Sequence, residues 1–487
     1  MKSDIVVIGG GASGLMAAYS AARNAADSGK CINVTVLEKM PRPGRKIMLT
    51  GKGRCNFTNV KDWNDFNGHI RSKSNFVKSA FYNFSPQKAL SFFESFGMKT
   101  VVERGDRAFP ASYHASDVVD TLVSACHSAG VKIETEFEVS NIIRQRLKSS
   151  RAKDLGKSPL GPQHSADKFE SETVESGDGG ETQEFVVEAK DGRKYVCSKL
   201  IIATGGLSYP STGSTGDGYG WASATGHRVE QTFPSLTALV PKGYKVTEGK
   251  ELHIERESPM TELGESLCGV QLENVGVRLI VGGTEAQNEF GDVYFTDGGL
   301  EGPAGFQISR KAVKSMLNGA RVSVILDLKP GVPLTELTER VKGLWTEVDK
   351  DPRSRNLKEK EKCRILLGKL MPWELIPGFR AMHPEIMTLE RRGRNDSKVW
   401  VNLPSIAKAL KEWQFDIAGH VGYERAVVTA GGVSTDDVVA KTMESRLVKG
   451  LYFCGEVLDI DSDTGGYNLQ TAFSTGCLAG ESAAKSL

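Results

Sequence analysis

At 487 residues, 39% hydrophobic and 25% charged, with 53 glycines, the chain is too long for one compact core and predicts two or three domains of nucleotide-binding α/β character. A net charge of +2 excludes whole-protein attraction to nucleic acid, so any basic stretch needs a local explanation. The 8 cysteines include no C-x-x-C pair, which argues against a zinc site or disulfide framework and for reduced thiols in a cytoplasmic protein.

The apolar run DIVVI (4–8) reads as a strand buried on both faces. It leads into Gly9-Gly10-Gly11-Ala12-Ser13-Gly14, then a small-residue helix to about Ser28 with Gly29 as its stop. The glycine break and a single preceding lysine argue against a leader peptide. No other stretch approaches the 18 apolar residues needed to span a membrane. A second strand, INVTVLE, ends at Glu38. This is β-α-β with G-x-G-x-x-G at the first turn and an acid closing the second strand. Gly9 permits the turn, Gly11 lets backbone approach a diphosphate, and Gly14 lets the helix pack on the sheet. The helix start, with Ala12 and Ser13, holds negative charge. Glu38 accepts hydrogen bonds from ribose hydroxyls, and Lys39 joins the cofactor set.

Residues 42–56, RPGRKIMLTGKGRCN, carry Arg42, Arg45, Lys46, Lys52 and Arg54 with no acid. The spacing is not that of a Walker loop, and Phe57 is the only aromatic neighbour for a nucleic-acid surface. An NAD dehydrogenase would continue into another crossover here, so the loop favours FAD. Arg45 and Lys46 are expected to flank its diphosphate, and Gly53, Arg54, Cys55 and Asn56 to pass near the flavin ring. Cys55 is expected to pack there rather than react, since its nearest neighbour in sequence, Cys31, is placed on the second strand.

Further along, 131–139 and 184–206 read as a small meander with a return strand, and 147–183 as a flexible insertion. LIIA (200–203) ends in Thr204-Gly205-Gly206, again a strand meeting a glycine turn. The loop PSTGSTGDGYG (210–220) suits a ligand approach, with Asp217 bonding the flavin or its ribityl chain, or else a plain interdomain crossover. Residues 229–330 are strand-rich, and from Thr335 the period turns helical, with KEKEK (358–362) on a solvated face. GLYFCGEVLD returns to the sheet, placing Gly455 and Glu456 at a strand end. Gly465 and Gly466 then start a helix whose inner face is Leu469, Ala472, Phe473, Gly476 and Ala479. Such a start aimed at the pyrimidine side of a flavin would stabilise its reduced form. No histidine pair, nucleophile elbow or metal-ligand cluster stands out, so no catalytic residue and no metal is assigned.

The segments GGGASG, GRKIMLTGKGRCNFTN, LSYPSTGSTGDGYGWASATGH, VVTAGGVSTDDV and GLYFCGEVLDIDSDTGGYNLQTAFSTGCLAG together resemble the BaiN/YhiN-like FAD-dependent oxidoreductases, the aminoacetone oxidase-like flavoproteins. The resemblance implies an α/β fold, a Rossmann-type FAD-binding domain split in sequence, with an inserted β-barrel-like domain and a small helical domain. The corresponding limits are 1–210 and 421–487, 211–330 and 385–420, and 331–384. It implies Val139 beside the adenine, Thr204 and Gly205 near the dinucleotide, and Tyr467, Asn468 and Leu469 at the flavin. Amine oxidation and enone reduction both occur in the family, so a small-molecule substrate is expected, with NAD(P)H as a transient donor or oxygen as acceptor. No nucleic-acid or membrane partner is expected. The rivals are an RNA-binding flavoprotein and a flavin-based redox sensor. One departure stands out: relatives usually carry His near Asp297 and Ser near Glu301. Two acids there favour a cationic or hydroxylated substrate, or are plain surface acids at a helix start.

Overall fold

The computed structural model describes residues 1–147, 182–247, 252–391 and 397–487; most of the 147–183 insertion lies outside the described residues. The chain divides into two compact units, residues 1–232 with 428–487, and residues 233–427.

In the first unit, the strands Ile5–Ile8, Val34–Leu37, Lys199–Ile202 and Leu451–Phe453 are buried along their whole length, as apolar runs covered on both faces must be. With Lys132–Glu134 they form, among the described residues, a five-stranded parallel sheet in the order 451–453, 199–202, 5–8, 34–37, 132–134. The order reverses at the first strand, so the crevice beyond the carboxyl ends of Ile5–Ile8 and Lys199–Ile202 is the switch point where open α/β sheets take ligands. The run 131–139, expected in a meander, serves two sheets. Lys132–Glu134 closes the parallel sheet, Glu136 turns at φ +54°, and Val139–Leu147 pairs with Thr182–Ala189, which pairs with Lys194–Cys197.

Two helices cover one another beside the sheet. Ala12–Asp27 starts directly after Gly11, with Gly29 at φ +72° beyond its end; Tyr467–Lys485 starts after Gly466. A Cβ on Gly476 would lie 2.3 Å from the Ser13 carbonyl oxygen, and one on Gly480 2.0 Å from that of Ala17. Only glycine allows this approach, and the two contacts advance together, so the helices run parallel. Gly476 lies nine residues past Tyr467 whereas Ser13 lies one past Ala12. At about 1.5 Å per residue the closing helix therefore starts about 12 Å further out. Its buried surface is wider than the expected stripe, because Gln470 and Ser474 also reach the Phe84 carbonyl beyond the helix Ser74–Asn83, at 2.8 and 2.7 Å. Leu469 and Ala472, by contrast, are half-buried.

The second unit holds a closed six-stranded barrel among the described residues, in the order Leu239–Pro241, Gly299–Glu301, Thr284–Thr296, Gln271–Val281, Val322–Asp327, Trp413–His420. Phe295, Trp413 and Phe415 pack inside it with ring centroids 4.9 to 5.8 Å apart. The helical period is realised as Leu334–Lys350 and Glu359–Gly368, with Lys360 and Glu361 exposed and Cys363, Leu366 and Leu367 buried. The acids of the FTDGGLEG turn are not free to attract a cation. Arg425 bonds Asp297 at 2.6 Å and Glu301 at 2.7 Å, and Arg256 reaches Asp297 at 3.3 Å. The helix-start expectation holds for Glu301, which is the N-cap residue of the helix Gly302–Leu317 with Pro303 in its first turn, but both acids are already paired with arginine.

Candidate cofactor site

All the residues of the glycine turn lie in the first unit. Gly9 has φ +107°, and a Cβ there would stand 2.5 Å from the Ala203 carbonyl oxygen; a Cβ on Gly14 would stand 1.9 Å from that of Gly9. These two glycines are required by the turn itself. Gly11 differs: its φ is −84°, ordinary for any residue, and a Cβ there would meet no atom within 4 Å. The helix it starts has no side-chain cap and no acid in its first turn. The first amides of a helix, here those of Gly11, Ala12, Ser13 and Gly14, lack intrahelical partners, and the space in front of Gly11 is open. An anionic diphosphate fits this cradle.

Glu38 ties the same turn from the second strand. Its Oε2 accepts from the Gly10 N–H at 2.7 Å and its Oε1 from Met40 at 2.8 Å. Burial raises its pKa, opposed by those two amides. Each carboxylate oxygen keeps a second lone pair for a hydroxyl. The Phe137 N–H bonds the Glu38 carbonyl at 2.9 Å, which brings buried Val139 to the same strand end.

The basic loop is less free than its sequence suggests. Lys46 Nζ donates to Glu456 Oε2 at 2.6 Å and to the Ser208 hydroxyl, and Glu456 Oε1 also accepts from Ser208 at 2.8 Å and from the Thr429 N–H at 2.7 Å. Lys46 is thus paired with Glu456 rather than free, and the pair ties together the segments that carry Ser208, Thr429 and Glu456. Lys39 likewise bonds Asp217 at 2.7 Å and the Thr215 hydroxyl, so Asp217 holds a lysine as it opens the helix Asp217–Ala224. Gly218 of that helix packs on Thr204, whose hydroxyl is 2.3 Å from where a Cβ would be, and Gly205 turns at φ +72°. Arg45 and Arg54 are exposed, the latter 5.2 Å over the Phe109 ring.

Gly53 turns at φ +86° with open space at its Cβ position, and Cys55 holds a left-handed φ of +54°, a strain that non-glycine residues rarely bear. The Cys55 thiol is wholly buried and pushed up to about 12 by that burial, so it is no thiolate nucleophile. Cys31 is exposed and precedes the second strand rather than lying on it. Asn56 Oδ1 is buried with no hydrogen-bond partner, 2.8 Å from where a Cβ on Gly466 would be.

At the closing helix the side chains and the backbone part company. The Tyr467 ring packs on His69 at 4.2 Å and Phe66 at 5.0 Å. The Asn468 amide accepts from Ser462 N–H at 2.9 Å and donates to the Ser462 and Asp463 carbonyls at 2.9 and 3.0 Å. These side chains are committed to protein contacts, which leaves the first-turn amides of an uncapped helix. Gly455 N–H bonds Thr475 Oγ1 at 3.0 Å, while Thr471 Oγ1, one turn nearer the helix start, is buried and unpartnered. Orphaned oxygens at Asn56 and Thr471 suit a bound group with donors of its own. Sequence reasoning missed His69, Arg71 and Asp463 altogether; their only local signal was the acidic DIDSD ahead of the helix. Among the described residues, no cluster of His, Cys, Asp or Glu could hold a metal, and no helix is long and apolar enough to cross a membrane.

A glycine turn at the switch point of a parallel sheet, opening a helix onto free space, defines the nucleotide-binding part of a Rossmann-type flavoprotein. The chain belongs to the family described as HI0933-like protein Rossmann domain, which matches residues 3–158 and 164–482, and it is an FAD-dependent oxidoreductase. It is 30% identical to the 3-dehydro-bile acid delta(4,6)-reductase of Clostridium scindens, over 99% of each chain. It is 29% identical to the ribosomal RNA dihydrouridine synthases of Haemophilus influenzae and Escherichia coli, over 97% of this chain and 96% of each of theirs. Among solved structures, the 3-ketosteroid delta1-dehydrogenase of Sterolibacterium denitrificans is similar with a TM-score of 0.48 at 12% identity, over 100% of both chains.

Proposed function

We propose that this oxidoreductase saturates a carbon–carbon double bond conjugated to a carbonyl, with a nicotinamide nucleotide as transient hydride donor. The observation that carries the reading is the open space at Gly11 before an uncapped helix start, with a second uncapped start at Tyr467 on the parallel helix about 12 Å further out. Bound FAD supplies the two-electron chemistry; the chain supplies position and field. The amides of residues 11–14 hold the diphosphate with the helix dipole behind them, aided by Arg45. Glu38 accepts from the adenosine ribose and Val139 walls the adenine. The Lys39–Asp217 and Lys46–Glu456 pairs fix the loops around Thr204, Gly205 and Gly455, and residues 53–56 approach the ring. The amides of residues 467–469 stabilise the negative charge that the pyrimidine side gains on reduction. Only one G-x-G-x-x-G occurs, so the nicotinamide visits without a Rossmann domain of its own.

The direction and substrate class draw support from the relatives. A delta(4,6)-reductase and a dihydrouridine synthase are both named for removing a double bond that lies in conjugation with a carbonyl; neither is named for amine oxidation. Incubation with NADPH and a panel of conjugated enones should yield products heavier by two hydrogens. A panel in which only amines are consumed would defeat the reading. A second reading keeps the chemistry and places the double bond in a uracil base of RNA. Two relatives favour it by name, as do Arg42 and Arg54, both exposed and without an ion-pair partner among the described residues. Binding to RNA that weakens steeply with salt, together with dihydrouridine formation, would select it.

A further inference from the structure

Residues 69–72 run beside residues 461–463. Ile70 bridges Ser462, the Arg71 N–H donates to the Asp461 carbonyl at 2.8 Å, and the Asp463 N–H to that of His69 at 2.9 Å. At the end of this pairing the Asp463 carboxylate, 3% exposed, is gripped by Arg71 through Nε and Nη2 on its two oxygens. His69 Nδ1 adds a third hydrogen bond at 3.0 Å. The His69 ring lies almost flat on that of Tyr467, at 4.2 Å and 17°, and Tyr467 is the first residue of the closing helix. Asn468 binds the same segment from the helix side, and Asn59 Nδ2 holds the Gly465 carbonyl at 3.1 Å. The groups facing Asp463 are thus Arg71, His69 and Tyr467, with the buried Asp461 two residues away.

A carboxylate this deeply buried just ahead of an uncapped helix start opposes the positive end of that helix. It would also repel the negative charge that a flavin gains on reduction. A bidentate guanidinium cancels it. We propose that Arg71, assisted by His69, is a positioning residue for the flavin. Through Asp463 it fixes the turn at Gly465 and Gly466 and cancels the buried charge, so that the closing helix presents an unopposed positive end to the reduced ring. The proposal rests on the reading that this helix start faces the pyrimidine side of the flavin.

The test is the midpoint potential of the flavin bound to the whole protein, read by dye equilibration. Arg71→Met leaves Asp463 uncompensated and should lower the potential, whereas Asp463→Asn should raise it. The double variant should return toward wild type, and Arg71→Lys should retain most of the wild-type value. A role confined to shape would move all the variants one way. A flavin-bearing Arg71→Met with an unchanged potential overturns the proposal. If Arg71→Met does not fold, Asp463→Asn, which keeps the side chain's shape, decides alone: an unchanged or lowered potential overturns it. In flavin-free protein, amide exchange at Gly465 and Gly466 should quicken in Arg71→Met, and unchanged exchange removes the positioning role. A wild-type protein that binds flavin with its ring elsewhere defeats the placement and this proposal together; a correctly placed flavin indifferent to these charges defeats this proposal alone.

Discussion

Replacing Gly11 by valine separates folding from cofactor binding. The backbone at Gly11 is extended, with φ −84° and ψ −168°, and a Cβ there meets nothing within 4 Å. Valine is a poor N-cap, which costs about 1 kcal/mol or less. Loss of chain freedom in the unfolded state offsets about half of that. The flavin-free protein should therefore melt within a few degrees of wild type. The same side chain would fill the space in front of the helix amides. Losing two charge-assisted hydrogen bonds to a diphosphate, each worth about 1.5–3 kcal/mol, weakens FAD binding by about 10²- to 10⁴-fold. The assay is flavin absorbance per protein after gel filtration, with a fluorescence titration for affinity. Gly14→Ala is the control, since its Cβ would lie 1.9 Å from the Gly9 carbonyl oxygen and should prevent folding of the turn itself. A Gly11→Val protein that folds and stays yellow refutes the placement of the diphosphate.

Three further outcomes follow from side-chain pairings. Because Lys46 and Glu456 are paired at 2.6 Å and both largely buried, Lys46→Met and Glu456→Gln should each lower the melting temperature, and the double variant should recover a coupling of about 1–3 kcal/mol; additive losses would contradict the pairing. In the second unit, burial works against the Asp297 charge, but Arg425 and Arg256 outweigh it and hold the carboxyl below its usual range. That stability is present above the unfolded pKa and is lost as pH falls through the lower folded-state value. Arg425→Met should therefore flatten the acid side of the stability profile, as urea titrations across pH would report. Because the Asp297 side chain is 43% exposed and its charge screened, the part of the cost that comes from Asp297 should be about 1 kcal/mol or less at neutral pH. Alkylation of native protein at pH 8 should label exposed Cys31 and spare Cys55, and Cys55→Ala should keep its flavin reducible; rapid labelling of Cys55 would point to a redox thiol.

What the sequence made legible was local. The turns at Gly9 and Gly14 and the glycine-started closing helix follow from steric rules within a few residues, while Gly11 reads only as room left beside a helix start and Glu38 only as an acid closing a strand. The strand 132–134 was misread because alternation runs smoothly to 139, and only the left-handed turn at Glu136 takes the chain out of the sheet. The ion pairs were out of reach. Lys46 and Glu456 are 410 residues apart, Arg71 and Asp463 392 apart, and nothing in either neighbourhood announces its partner. The acids at 297 and 301 could be read either as substrate selectors or as plain acids at a helix start, and their pairing was out of reach for the same reason, since Arg425 arrives from a distant segment.

The most direct measurement is anaerobic spectroscopy of the flavin-loaded protein through one full cycle. NADH or NADPH should bleach the flavin, and a conjugated enone should then restore its colour with uptake of two hydrogens into the double bond. A flavin that no nicotinamide reduces, but that an amine bleaches and oxygen restores, would show that the electrons run the other way.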